Sequence, residues 1–302
     1  MIKSKSNKDS RVEVIRHVTM VGFWLNCLLV ILKLFFGYWG HSDALVADGY
    51  HSVSDFITDI IVIVFAGAAY KKADAEHPYG HGKFETLATV LVGIILLFVG
   101  IYILYEGIVT IITYAHGKII SRPDVWTIIV ALISILLKEW CYRYTRKEGL
   151  RIKASSLVAN AMHHRSDAVS SIATLIGVIL SVALGESWRV MDPIASIVIA
   201  GMIGYSAYEI AKPAIEELLE VSLPESEIDE IRLLASRVSG VINIHNLRAR
   251  RNGHSIIIEM NVHVDPDITI KEGHRIANRL EKTLRDCMGD DMIIYIHIEP
   301  EE

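Results

Sequence analysis

The sequence predicts an α-helical membrane protein with six transmembrane helices, followed by a C-terminal cytoplasmic α+β domain of order αββαβ. Three observations lead there. The 302 residues are 52% hydrophobic with a mean hydropathy of +0.37, too apolar for an ordinary soluble domain. Apolar runs recur at lengths of roughly 20 residues, enough to cross a bilayer. From Leu223 onward these runs give way to short amphipathic and alternating segments.

The predicted spans are Val18–Trp39, Ala44–Tyr70, Glu85–Tyr114, Val125–Tyr144, Ser155–Leu184 and Pro193–Ile210. Six spans put both termini on one side, and loop basicity says which. Lys3, Lys5, Lys8, Arg11 and Arg16 precede the first span. Lys71, Lys72 and Lys83 lie between the second and third, and Arg143, Arg146, Lys147, Arg151 and Lys153 between the fourth and fifth. The opposite loops offer Lys118, Arg122 and Arg189, so the positive-inside rule places both ends in the cytoplasm. The basic N-terminus lacks a small-residue cleavage site after its apolar run and reads as a tail rather than a removable signal. Cys27, Cys141 and Cys287 are far apart and form no CxxC pair or disulfide framework, as suits a reducing compartment. The net charge of −5 is unevenly placed, and no nucleic-acid partner is expected.

Residues 1–222 therefore read as a transmembrane region and 223–302 as a separate domain. LPESEIDEIRLLASRVSG is a capped amphipathic helix, with Pro224 early, acids in the first turn and Gly240 at its end. VINIHNLRARR and HSIIIEMNVHV alternate as strands about Asn252–Gly253, a tight hairpin signal. A second helix, ITIKEGHRIANRLEKTLRDCMG, and a last strand, DMIIYIHIEP, complete two layers with helices on one face of a sheet.

The chemistry concentrates in SDALVADGYHSVSDFITD, residues 42–59, which carries Asp48, His51, Asp55 and Asp59. Spacings of three and four put all of them on one helix face. A charge near the bilayer centre costs about 2.5–3.5 kcal/mol, so these groups need a partner. NAMHHRSDAVSS in the fifth span repeats the pattern with His163 and Asp167. His51, Asp55, His163 and Asp167 together offer two imidazoles and two carboxylates, a set suited to a tetrahedral dication. Interhelical hydrogen bonding is the competing explanation, but glue between helices rarely needs carboxylates in both. Asp48 and Asp59 share the face as a partner behind the ligands, a charge on the access path or a helix cap. His164 and Arg165 flank the second pair and are expected to face a neighbouring helix or the cytoplasmic vestibule.

Two further groups stand outside the spans. In ADAEHPYGHGK, Asp74, His77 and His81 could hold an ion if Gly80 and Gly82 bend the loop; an ordinary turn with solvated histidines explains them equally well. The tail holds His245, His254, His263, His274 and His297 with Glu299, five of the chain's 13 histidines. Singly each reads as an exposed polar residue; three or four together could bind metal where sheet and helix meet. Lys83 and Glu220 form an expected ion pair at the cytoplasmic surface.

With HSVSD, HPYGHGK, HHRSD and the closing HVDP and HIEP in view, the chain resembles the cation diffusion facilitators, divalent-metal/proton antiporters, over nearly its whole length. The resemblance implies a transport site at His51, Asp55, His163 and Asp167, and a loop site at Asp74, His77 and His81. It also implies a metallochaperone-like tail binding metal through His245, His274, His297 and Glu299, and a homodimer. Asn261 stands where a tail ligand is expected. His263, two residues on and on the same strand face, is the expected substitute.

Imidazoles titrate near neutrality and must be neutral to ligate, so metal and protons compete for the same atoms. A site opening alternately to each side of the bilayer would exchange the two, and the resemblance implies outward export of Zn2+. Two His and two Asp suit zinc, with iron(II), cobalt and cadmium as alternatives. A membrane-anchored metal sensor or scaffold is the competing class. No HExxH, nucleophile–base pair or glycine-rich nucleotide loop points to an enzyme, and no organic cofactor is expected.

Overall fold

The computed structural model describes the backbone of residues 2–69, 71, 73–152, 154–289 and 291–301. Within these, side chains are described except at 2–12, 58–59, 62–64, 66–68, 155–156, 159 and 163. Six long helices lead: α1 (Ile2–Trp39), α2 (Asp43–Ala69), α3 (Lys83–Ala115), α4 (Val125–Arg151), α5 (Ser155–Ala183) and α6 (Met191–Leu218). Five stretches are long and apolar enough to cross a membrane among the described residues: Glu13–Trp39, Lys83–Ala115, Val125–Arg151, Asn160–Ala183 and Glu186–Leu218. α2 has comparable length, 27 residues, with several side chains outside the described set. Helices outrun the apolar segments that predicted them: α1 begins at Ile2 and α4 continues to Arg151, because no Gly or Pro interrupts the polar extensions of α1.

The chain forms two compact units, one of residues 1–59 and 93–208, the other of 60–92 and 209–302. In the first, large apolar side chains such as Ile31, Phe35, Phe98, Tyr105 and Leu136 point outward, as a lipid-facing surface requires. Lipid offers no hydrophobic drive between helices, so close backbone approach does that work. Gly37 of α1 leaves room for Val46 of α2, and Gly177 of α5 for Ala195 of α6. The start of α2 is capped from α6: Asp192 accepts from the Ser42 hydroxyl at 2.7 Å and from the backbone N–H groups of Asp43 at 2.5 Å and Ala44 at 3.3 Å. That satisfies orphan donors and sets a carboxylate against the positive end of the helix.

In the second unit, α7 (Glu225–Ser236) and α8 (Ile270–Met288) pack on a sheet of order β1 (Asn243–Asn252), β2 (Ser255–Val264), β3 (Met292–Pro300). β1 and β2 are antiparallel about the predicted hairpin, where Gly253 takes φ +62°. β3 returns parallel to β2 after the α8 crossover. Leu223, Ile231, Ile258, Val262, Leu280 and Leu284 form its core. Thr269 caps α8 by accepting from Glu272 N–H. α7 departs from the sequence expectation: no side chain caps it, and it stops at Ser236, before Gly240, which serves the next turn at φ +96°.

Gly177→Leu should therefore lower the stability of the purified protein by about 1–3 kcal/mol through overpacking against α6. Gly201→Ala, which adds a methyl inside α6 where nothing lies within 4 Å, should not lower the thermal unfolding temperature in detergent and should raise it slightly through helix propensity.

Candidate metal sites

Helical spacing on α2 sets His51 and Asp55 one turn apart, with Nδ1 and Oδ1 separated by 3.8 Å. α5 brings Asp167 to them: one ligand atom from each of the three lies within 4.8 Å of the others. Asp167 is buried, while His51 and Asp55 are partly accessible. His163 and Asp59, both singled out by the sequence, have side chains that lie outside the described residues. His164 is buried near Gly22 and Cys141, and Arg165 lies over the Tyr142 ring at 5.2 Å.

Sequence reasoning missed two lysines. Lys33 of α1 and Lys138 of α4 are 0% and 1% exposed. Lys33 Nζ lies 2.8 Å from Asp48 Oδ2 and donates to Ser52 Oγ at 3.2 Å and Ser171 Oγ at 3.3 Å. Ser171 donates in turn to Asp48 at 2.9 Å. Asp48 thus belongs to an ion pair tying α1, α2 and α5 together. Lys138 Nζ lies 3.2 Å from Asp167 Oδ2. The signal that could have found both is a lone lysine inside each apolar run, LVILKLFF and ISILLKEW.

The loop between α2 and α3 builds its group locally. Asp74 accepts from the N–H groups of His77 at 2.8 Å and Glu76 at 3.0 Å. The His77 backbone bond, first, holds this carboxyl below the usual carboxylate range. Its two oxygens each lie 3.5 Å from an imidazole nitrogen, of His77 and of buried His81. Gly80, at φ +83°, supplies the bend, and a Cβ on Gly82 would collide with the Asn252 carbonyl. Asn252 donates to the Tyr79 carbonyl at 3.1 Å, and Gly253 N–H to Glu217 at 2.7 Å. Lys83 does meet Glu220, whose other oxygen takes the Arg250 guanidinium.

In the tail, His245 Nε2 and His263 Nε2 lie 3.1 Å and 3.4 Å from Glu299 Oε2. Strand register explains the grouping: His263 sits opposite Glu299 on β3, and an irregularity after His245 lets its ring reach that of His263, 4.5 Å away. Asn261 donates to Glu299 at 2.7 Å. Two further residues named for this group lie one at its exposed edge and one away from it. His297 is 70% exposed, 3.4 Å from the other Glu299 oxygen, and His274 on α8 lies beside Asn278. Glu301, 2.6 Å from His263 Nδ1, went unnoticed in the sequence.

A multi-span helical bundle with paired His and Asp inside it, joined to a small α+β domain with further His–carboxylate groups, defines a membrane metal transporter. Two family models match: the cation efflux transmembrane domain over residues 19–219 and the cation efflux protein cytoplasmic domain over 223–301. The chain belongs to the cation diffusion facilitator family, whose members carry divalent metal cations out. It is 35% identical to manganese efflux system protein MneP of Bacillus subtilis, over 97% of this chain and 98% of that protein. It is 32% identical to metal tolerance protein C1 of Arabidopsis thaliana, over 90% of this chain and 59% of that one. A solved zinc form of CzrB is 30% identical over 26% of this chain and 91% of its own, with a TM-score of 0.25.

Removing one partner of the buried pair should be costly. Lys33→Met should destabilise the protein by roughly 3–5 kcal/mol, and Lys33→Met with Asp48→Asn should recover most of the loss, as read by thermal unfolding in detergent.

Proposed function

We propose that this protein exports a divalent transition-metal cation from the cytoplasm in exchange for protons, with zinc the substrate that the donor set favours. The observation that carries the reading is the convergence of His51 and Asp55 from α2 with Asp167 from α5. His163 is the fourth donor in this reading, one turn before Asp167 on the same helix. Imidazole nitrogens and carboxylate oxygens together suit zinc's tetrahedral habit. Binding requires neutral imidazoles, so protons arriving from outside displace the ion, and metal arriving from the cytoplasm displaces protons. The excess of Lys and Arg in alternate loops supports cytoplasmic termini in a cell inner or plasma membrane. The protein works as a homodimer in this reading, with the loop and tail groups as regulatory sites.

Manganese is the second reading. Full-length similarity to a manganese efflux protein favours it, and carboxylate oxygens suit that harder ion. A structural ion in a membrane-anchored sensor is less well supported: such a site is closed, whereas His51 and Asp55 are partly accessible.

Inverted vesicles with an acidic lumen should accumulate Zn2+, or Mn2+ on the second reading. Asp55→Ala or Asp167→Asn should reduce uptake at least about tenfold, to background. Metal accumulation indifferent to the pH gradient would sink the antiport. In the full chain, His263→Ala should remove one equivalent of bound zinc in equilibrium dialysis while leaving the transmembrane donors intact.

A further inference from the structure

A cation beside a ligand carboxylate works against the binding of a second cation. Lys138 holds that position. Its ammonium contacts Asp167 at 3.2 Å, and Asp48 and Asp55 are the next carboxylates within its electrostatic reach. Lys33 differs: it is bound to Asp48, Ser52 and Ser171, and reaches Asp167 through its field and not by contact. Donors around a tetrahedral zinc stand about 3.4 Å apart. The trio, within 4.8 Å, needs a modest contraction onto an ion, and the Asp167 carboxylate that takes part in it is the one Lys138 holds.

We propose that Lys138 is a built-in competitor of the transported cation. It neutralises Asp167 while no metal is bound, gives up that carboxylate when metal binds, and re-engages it as metal leaves. The inference rests on reading the trio as the transport site. Its consequence is an affinity held low enough for release, since a permeation site must bind without trapping. Lys138 is a positioning residue: it acts on the ion through Asp167.

The test uses the full chain in detergent, with the loop and tail groups removed by His77→Ala, His81→Ala, His245→Ala and His263→Ala. Zn2+ and Mn2+ affinities are measured by competition with a chromophoric chelator. Lys138→Gln should bind at least roughly tenfold more tightly than its parent, because a positive charge within a few ångströms of the ion is gone. It should also gain a larger metal-induced rise in thermal stability. Lys138→Arg, which keeps the charge, should bind like the parent. Lys138→Met carries the same expectation as Lys138→Gln if the glutamine variant does not fold. Damage to the fold would weaken binding, so the direction of the change separates the two roles. Unchanged or weaker binding in both neutral variants, with binding abolished by Asp167→Asn, overturns the proposal alone. Binding indifferent to Asp167→Asn overturns the transport-site reading and this proposal with it.

Discussion

The transmembrane region depends on one constraint: a charge buried away from water must meet its opposite within the protein. Lys33 meets Asp48, Lys138 meets Asp167, and Asp192 meets the start of α2. Each contact joins different helices, so each also sets the depth of one helix against another. Apolar side chains cannot do this, because lipid and leucine are nearly equivalent neighbours. The first pair links α1 to α2, the second α4 to α5, and the Asp192 cap ties α6 to α2. The donors inherit their positions from this framework: Asp48 lies one turn from His51, and Asp167 is itself a member of a pair. Fold and site are therefore held by the same charges.

Polar contacts organise the second unit too, but in a wetter setting. Glu217 accepts from Thr86 and from the Gly253 N–H, and Glu220 takes both Lys83 and Arg250. The hairpin tip must come close to the loop backbone, which is why glycine stands at both 82 and 253. Exposed ion pairs contribute little stability singly. Backbone contacts with no room for a Cβ are less forgiving, so the shape of this junction owes more to the glycines than to the charges.

Much of this was legible in the sequence, for identifiable reasons. Apolar run length gives the helices, strand alternation and Asn252–Gly253 give the sheet, and four-residue spacing gives His51 with Asp55. Periodicity reports which residues share a face. It does not report which faces meet. Lys33 and Lys138 illustrate the loss, since each is one polar residue in an apolar run, and its meaning lies in a carboxylate tens of residues away. The tail shows the same limit. That His263 shares a strand face with Asn261 follows from period two, but its convergence with His245 depends on an irregularity in β1 that has no plain sequence signature. Helix ends were the weakest reading: α1 and α4 run past their apolar segments, because a bilayer limits hydrophobicity and not helicity.

A site that moves an ion faces a demand that a storage site does not, because it must let go. Tight, closed coordination by ideal donors would serve a structural ion well and a transporter badly. The loop and tail groups can be locally complete, with donors drawn from one bend or from adjacent strands. The intramembrane group is built otherwise. Its donors come from two helices, two of them are partly accessible, and the most deeply buried acid is already shared with a lysine. Each feature lowers affinity relative to a rigid four-donor cage. On the proposed reading, they describe a weak and reversible coordination sphere, in which protons, an internal ammonium and the metal compete for the same oxygen and nitrogen atoms. On that reading the choice between zinc and manganese turns on how compactly the donors gather around the ion, because the same donors can form a tight tetrahedron or a looser, water-completed shell.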